Sequence, residues 1–139
     1  MTSRRRVLFV CTGNRARSQM AEGLLRDLAG DRFEVYSAGT IPSGISEYTI
    51  EAMREIGIDV SGQRSKSVEE FNGQSFDYVI TVCDSARQVC PVFPGEGERL
   101  HWDIEDPSDI EARGVSLPNA FRIAREELRK RIQLFAGEH

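Results

Sequence analysis

The sequence is poor in cysteine, in net positive charge and in long apolar runs, and each shortage excludes something. There are three cysteines in 139 residues. An odd number cannot be fully paired within the chain at any one moment, and three falls short of the usual four zinc ligands unless a histidine joins them. A chain of this length buries a substantial core without metal or disulfide staples, so stability does not account for the thiols. Lys and Arg number 18 against 22 Asp and Glu, a net charge of −4. That balance argues against a general binder of nucleic acid or anionic membrane, though not against one local basic pocket. The apolar run after Arg4-Arg5-Arg6, Val7 to Cys11, is too short for a signal core and enters Thr12-Gly13-Asn14 without a small-residue cleavage site. No other run approaches membrane-spanning length. Repeats, linkers and low-complexity tracts are also missing. The expectation is one domain over residues 1–139, cytoplasmic, where thiols stay reduced and lasting disulfides are rare.

What is present is an alternation of strand and helix patterns. Val7 to Cys11 reads as a strand buried on both faces. A helix follows with Ala21, Leu24, Leu25 and Leu28 on one face, closing near Gly30. Phe33 to Ala38 predicts a second strand, and Ile50, Met53 and Ile56 a second helix ending at Gly57. Ser67-Val68-Glu69-Glu70 has capping-box spacing, which predicts a short helix. Phe76 to Cys83 reads as a third strand and Arg99 to Trp102 as a short fourth. Leu117, Phe121, Ala124, Leu128, Ile132 and Phe135 form a helical stripe, with Pro118 near its start and Gly137 after its end. Glu126/Lys130 and Glu127/Arg131 are spaced for pairs on its outer face. Such alternation implies right-handed βαβ crossovers and an α/β fold in three layers, a parallel sheet with helices on both faces. Ligands of such folds sit at the carboxyl ends of the strands.

The first strand ends in Cys11-Thr12-Gly13-Asn14-Arg15-Ala16-Arg17-Ser18, where a buried strand meets a helix. A short loop there can turn several N–H groups inward while the helix directs its positive end at the same point. Arg17 adds a guanidinium suited to two oxygens of a tetrahedral oxyanion. The same positive field favours the thiolate form of Cys11. Ser18 is placed to donate to the sulfur, and Asn14 to hold a left-handed loop position. This Cys-x5-Arg-Ser loop resembles the phosphate loop of the low-molecular-weight tyrosine phosphatase superfamily, and Ser37-Ala38-Gly39 is similar to that superfamily as well. The leaving oxygen needs a proton, and Asp106-Pro107 matches the superfamily's acid loop. In the phosphatase branch aromatic residues typically follow Asp-Pro. Here Ser108-Asp109 follow instead.

A phosphatase needs one cysteine, yet Cys83 and Cys90 are also present. Cys83 ends the third strand as Cys11 ends the first. In a sheet of order 2-1-3-4 those strands are neighbours about 4.8 Å apart. A disulfide tolerates Cα atoms up to about 6.8 Å apart, so Cys83 is within reach of Cys11 after modest loop movement. Were residues 84–90 helical, Cys83 and Cys90 would lie about 10 Å apart along the axis, too far for a bond unless the segment loops out.

The run from Thr81 to Pro91, with Cys-Thr-Gly-Asn, Arg-Ser-Gln-Met-Ala-Glu-Gly, Tyr-Ser-Ala-Gly, Cys-x6-Cys-Pro, His-Trp and Asp-Pro, resembles the thioredoxin-coupled arsenate reductases over nearly the whole chain. The resemblance implies the low-molecular-weight phosphatase fold and a definite chemistry. Cys11 attacks arsenate, Arg17 and the amides of Thr12 to Ser18 hold the oxyanion, and Asp106 protonates the leaving oxygen. Cys83 then forms Cys11–Cys83, and Cys90 forms Cys83–Cys90, which thioredoxin reduces. It implies no bound cofactor, with arsenate and thioredoxin as partners of a monomer and no nucleic acid or membrane. Some members hold a monovalent cation beside the loop with an acidic residue. Lys66 stands at that position here, and Asn14 and Glu22 alone predict no metal. His101 and Trp102 are expected to pack rather than react. The alternatives are a low-molecular-weight tyrosine phosphatase working through Cys11, and a non-enzymatic redox sensor responding to oxyanions.

Overall fold

The computed structural model describes residues 4–83 and 94–139. Its centre is β1 (Arg5–Cys11), buried from Val7 to Cys11. β1 pairs in parallel with β2 (Phe33–Gly39) on one side and β3 (Tyr78–Thr81) on the other. β4 (Glu98–His101) adds to β3, giving the order β2-β1-β3-β4 with every pair parallel. A strand covered on both faces must be apolar at every position, which is why Val7 to Cys11 shows a run and not an alternation. β3 is shorter than the Phe76–Cys83 strand the sequence predicts. At its start Asp77 turns its carboxylate to the Arg6 N–H at 2.7 Å. At its end Val82 still donates to the Val10 carbonyl at 3.0 Å, so pairing with β1 outlasts the regular strand. β4 lies one residue earlier than Arg99–Trp102.

One face of the sheet carries α1 (Arg17–Ala29) and α4 (Leu117–Glu138). Met20, Ala21, Leu24 and Leu25 of α1 meet Ala124, Leu128, Ile132 and Phe135 of α4 over Val7, Phe9, Tyr78 and Ile80. Leu28 departs from the expected stripe, because the buried ridge runs Ala21, Leu25, Ala29 and leaves Leu28 51% exposed. α4 also continues through Gly137, where the sequence pattern stops it. His139 fastens that end: its N–H reaches the Phe135 carbonyl, its ring lies 4.7 Å from the Phe135 ring, and its Nδ1 is 3.0 Å from the Tyr78 hydroxyl. On the outer face Glu126 pairs with Arg125 and Arg129 and not with Lys130.

The opposite face, Leu8, Val10, Ala38 and Val79, is closed by Val68, Phe71 and Phe76. The capping-box segment is a 3-10 helix, Val68–Phe71, whose Ser67 hydroxyl accepts from Glu69 N–H. α2 (Glu47–Arg54) stops short of Gly57, which turns the chain with φ +81°. α3 (Pro107–Ala112) is an addition to the sequence reading: Asp106 caps it and Pro107 opens it. Among the described residues, no helix is long and apolar enough to cross a membrane.

Candidate active site

β1 delivers Cys11 to the carboxyl end of the sheet, 4% exposed and level with Gly39 of β2. The loop from Cys11 to Ala16 then bends back to start α1, and its carbonyls explain its shape. Those of Cys11, Thr12, Gly13 and Arg15 accept from the N–H groups of Thr40, Ile41, Ser43 and Ser46 at 2.8–3.3 Å. The Ser65 and Thr49 hydroxyls add bonds to Gly13 and Arg15. A trans peptide whose oxygen points outward carries its N–H on the opposite side. With the oxygens tied to the surrounding segments, the loop's N–H groups face its concave side, as an oxyanion requires.

Two residues make the sharp bend possible. Asn14 is the single non-glycine residue with positive φ (46°) among the described residues. Gly39 lies beneath the loop so closely that a Cβ there would come within 2.5 Å of the Thr12 oxygen. Any side chain at position 39 would push the loop off the sheet.

Asn14 is fully buried, and its orientation is decided by a backbone donor. Lys66 N–H points at its side chain at 2.8 Å, so the atom there must be the oxygen, Oδ1. The amide nitrogen therefore faces the other way, donating to Ser18 Oγ at 2.8 Å and Ser37 Oγ at 2.9 Å. Each serine has one proton to give. Ser18, already accepting from Asn14, has its proton left for Cys11 Sγ at 2.8 Å. Ser37 gives its proton to Glu22 Oε1 at 2.5 Å.

Glu22 is itself buried on α1. Arg26 holds its Oε2 at 2.6 Å, and Lys66 Nζ stands 3.7 Å from Oε1 while donating to the Arg64 carbonyl at 2.8 Å. Burial pushes the Lys66 ammonium below its ordinary pKa, and Glu22 pulls it back up.

α1 starts without help from its own N-cap residue: Ala16 provides no side-chain bond. Arg17, on the first turn and 8% exposed, donates from Nη1 to the Ile104 carbonyl at 2.9 Å and from Nη2 to Asp106 Oδ2 at 3.3 Å. Asp106 uses its other oxygen to cap α3 through Ser108 N–H at 2.9 Å. So Arg17 and Asp106, distant in sequence, are adjacent at the mouth of the loop.

Cys83 is buried beyond the end of β3 as a thiol. The register pairs Val10 with Thr81, which puts Cys83 one residue past the level of Cys11 in the adjoining strand. Cys90, the expected Cys83–Cys90 bond and the looping-out of 84–90 lie outside the described residues. Trp102 packs 5.8 Å from Phe9 and 5.9 Å from Phe135, while His101 is exposed and bonds Thr81 at 2.6 Å. Sequence reasoning missed Gln19, which is fully buried and reaches Asn14 Oδ1 at 2.9 Å and the Arg64 carbonyl at 2.7 Å. An amide among the buried positions of an amphipathic helix was the available signal. Among the described residues, no group of three or more His, Cys, Asp or Glu side chains is placed to hold a metal.

The sequence pattern of the low molecular weight phosphotyrosine protein phosphatase family matches residues 6–138. An arsenate reductase of Halalkalibacterium halodurans is 43% identical over 130 residues, 94% of each chain. The chain belongs to the arsenate reductase branch of this family. The solved structure of an arsenate reductase in its oxidized state superimposes with a TM-score of 0.82 at 34% identity, over 96% of this chain and 98% of that one. A thioredoxin-dependent arsenate reductase of Corynebacterium glutamicum gives 0.67 at 31% identity, over 96% of this chain and 64% of that one. The four-stranded parallel sheet is thus the family fold.

Proposed function

We propose that this protein reduces arsenate to arsenite, with Cys11, Cys83 and Cys90 supplying the electrons in turn and thioredoxin restoring them in the cytoplasm. The observation that carries the reading is the second buried thiol, Cys83, one residue past the level of Cys11 in the neighbouring strand. Hydrolysis of a phosphate ester has no use for it.

The positions of Cys11, Arg17, Asp106 and Cys83 support the following chemistry, with Cys90 supplied by the sequence. Arsenate enters the loop, held by inward N–H groups and the Arg17 guanidinium. Cys11 Sγ, receiving the Ser18 proton's hydrogen bond, attacks arsenic, and Asp106 gives a proton to the departing oxygen, which leaves as water. Cys83 thiolate then attacks Cys11 Sγ. The sulfur–arsenic bond breaks with its electron pair going to arsenic, so arsenite departs and a Cys11–Cys83 disulfide remains. Cys90 attacks Cys83, freeing Cys11 and leaving Cys83–Cys90 for an external dithiol. Two electrons pass from two thiols to one arsenic atom, and no bound organic cofactor is needed.

The test couples the reduced protein to thioredoxin, thioredoxin reductase and NADPH. Arsenate is expected to trigger NADPH oxidation, Cys11→Ser and Cys83→Ser to abolish it, and Cys90→Ser to stop after one turnover with Cys11–Cys83 trapped, as read by mass mapping. Absence of arsenate-dependent oxidation, with phosphate release from a small aryl phosphate instead, would return the protein to the phosphatase reading.

A further inference from the structure

The mechanism uses the amide of Arg15 and leaves its side chain without a task. That side chain is exposed on the rim of the loop, two residues before Arg17. The backbone beneath it is pinned, since the Arg15 carbonyl accepts from Ser46 N–H at 3.2 Å and from the Thr49 hydroxyl at 3.0 Å. The guanidinium is barely held: Nη1 reaches the Ser43 carbonyl at 3.5 Å, and among the described residues no carboxylate pairs with it. We infer that the Arg15 guanidinium is the charge that draws the oxyanion to the loop and favours a doubly charged one, acting through its field before any bond forms. The inference rests on the loop being the oxyanion site of the proposed reaction.

The other cations around the loop already have acidic partners. Arg17 faces the Asp106 carboxyl at 3.3 Å and gives its second nitrogen to the Ile104 carbonyl. Arg26 and Lys66 both go to Glu22, Arg64 pairs with Glu70, and Arg113 with Glu105. A cation beside a carboxyl group attracts a distant anion weakly, because the two fields offset each other outside the pair. Arg17, 8% exposed, is therefore built for contact once the oxyanion has entered. The chain as a whole carries −4 and repels an incoming anion. A local positive charge at the mouth answers that repulsion, and Arg15 stands there unpaired. Its reach is sufficient: in water a unit cation about 8 Å away favours a singly charged anion about twofold and a doubly charged one about sixfold. The two bonds on the Arg15 carbonyl keep the charge at the rim. The long bond to Ser43 lets the side chain turn toward an arriving ion with little loss.

Inorganic phosphate titrated by calorimetry into the reduced protein, at pH 8 and low salt, tests this without any redox step. Arg15→Gln is expected to weaken binding about three- to sixfold. Arg15→Lys keeps the charge without the planar fork and should stay within about twofold of the parent. Salt at about 1 M, where the screening length falls to about 3 Å, should bring the three proteins together. Arg131→Gln is the control. It removes the same charge from an exposed position late in α4, the helix whose end meets Tyr78 at the start of β3, away from the carboxyl end of the sheet. Its affinity should equal the parent's. In arsenate kinetics the loss in Arg15→Gln should fall on KM, with kcat within about twofold of the parent. Equal phosphate affinity in Arg15→Gln and the parent overturns the proposal, as does a parent that binds no phosphate. So does a loss that Arg15→Lys fails to restore or that survives at high salt, since either marks a direct contact and not a field. An equal loss in Arg131→Gln would assign the effect to net charge and overturn it too. Phosphate binding with the expected charge and salt dependence, but no arsenate turnover in the parent, would sink the arsenate reading and leave this one standing.

Discussion

Two regions of the molecule solve the same problem in opposite ways. At the seam between α2 and α4 the structure closes on itself. Ser46 and Ser116 cap the two helices, and Glu55 accepts from both Arg122 and Arg125, with Arg125 also bonded to the Ala52 carbonyl. At the start of α1 the chain does the reverse: Ala16 offers no cap, while the carbonyls of the loop before it are tied outward one by one. A missing N-cap costs about 1 kcal/mol. At the seam Arg122 and Arg125 both find partners from the protein. At the loop the carbonyls are the groups tied down, and on the proposed reading its N–H groups serve the oxyanion. Function shows here as a place where local rules of stability are broken and the surroundings compensate.

Asp106 combines the two habits in one side chain, since one oxygen caps α3 and the other faces Arg17 at the loop. It therefore gives the sharpest break in the comparison and the largest expected effect. Asp106→Ala should lose about 10²- to 10⁴-fold in kcat, the usual worth of a positioned acid, and about 1 kcal/mol of stability with the cap. Asp106→Asn keeps a good capping side chain but has no carboxyl proton to give. Its kcat should fall as far while its melting temperature stays at that of the parent. An Asp106→Asn enzyme with full arsenate turnover would remove Asp106 from the chemistry and leave it a cap alone.

At the seam the expectation is inverted. Ser116→Ala takes the bond from Asn119 N–H and should cost about 1 kcal/mol, or roughly 3–4 °C in melting temperature for a chain of this size. Turnover should not change at temperatures where the variant is folded. A change in kcat without loss of stability would mean that the two regions are coupled, and the contrast between them would fail.

The contrast also explains what could be read from the sequence. The β-α alternation, the buried β1 and the Cys-x5-Arg-Ser loop are carried by residues within a few positions of one another, so spacing alone exposes them. The sheet order 2-1-3-4 comes instead with the resemblance to the low-molecular-weight phosphatase fold. What escaped depends on neighbours brought from far along the chain. Gln19 is an ordinary helix residue until Asn14 and the Arg64 carbonyl are beside it. Leu28 fits the helical stripe, and only the limit of the surface it packs on turns it outward. Asp106-Pro107 reads as a turn or an acid loop, whereas Asp at N-cap and Pro at the first position also start α3. Gly137 reads as a stop, but the His139 ring packed at a tilt against Phe135 and bonded to Tyr78 holds α4 past it.

The smallest effect sharpens the seam side through pH. Glu55 is held at about 2, against an ordinary value of 4.5, by hydrogen bonds from Arg122 and Arg125. Its folded pKa lies below its unfolded one, so the unfolded chain binds more protons between those values. The contribution of Glu55 to stability is then fully present above about 4.5 and is lost as pH falls toward about 2. Melting temperatures of the parent and of Glu55→Gln should therefore differ most near neutral pH and converge as acid protonates the parent's carboxyl. The gap will be modest because the pair is open to solvent and screened by salt. A constant difference between the two proteins from pH 6 to pH 2 would show that the substitution acts through packing between α2 and α4. In that case the seam would be closed by shape and not, as the geometry implies, by charge.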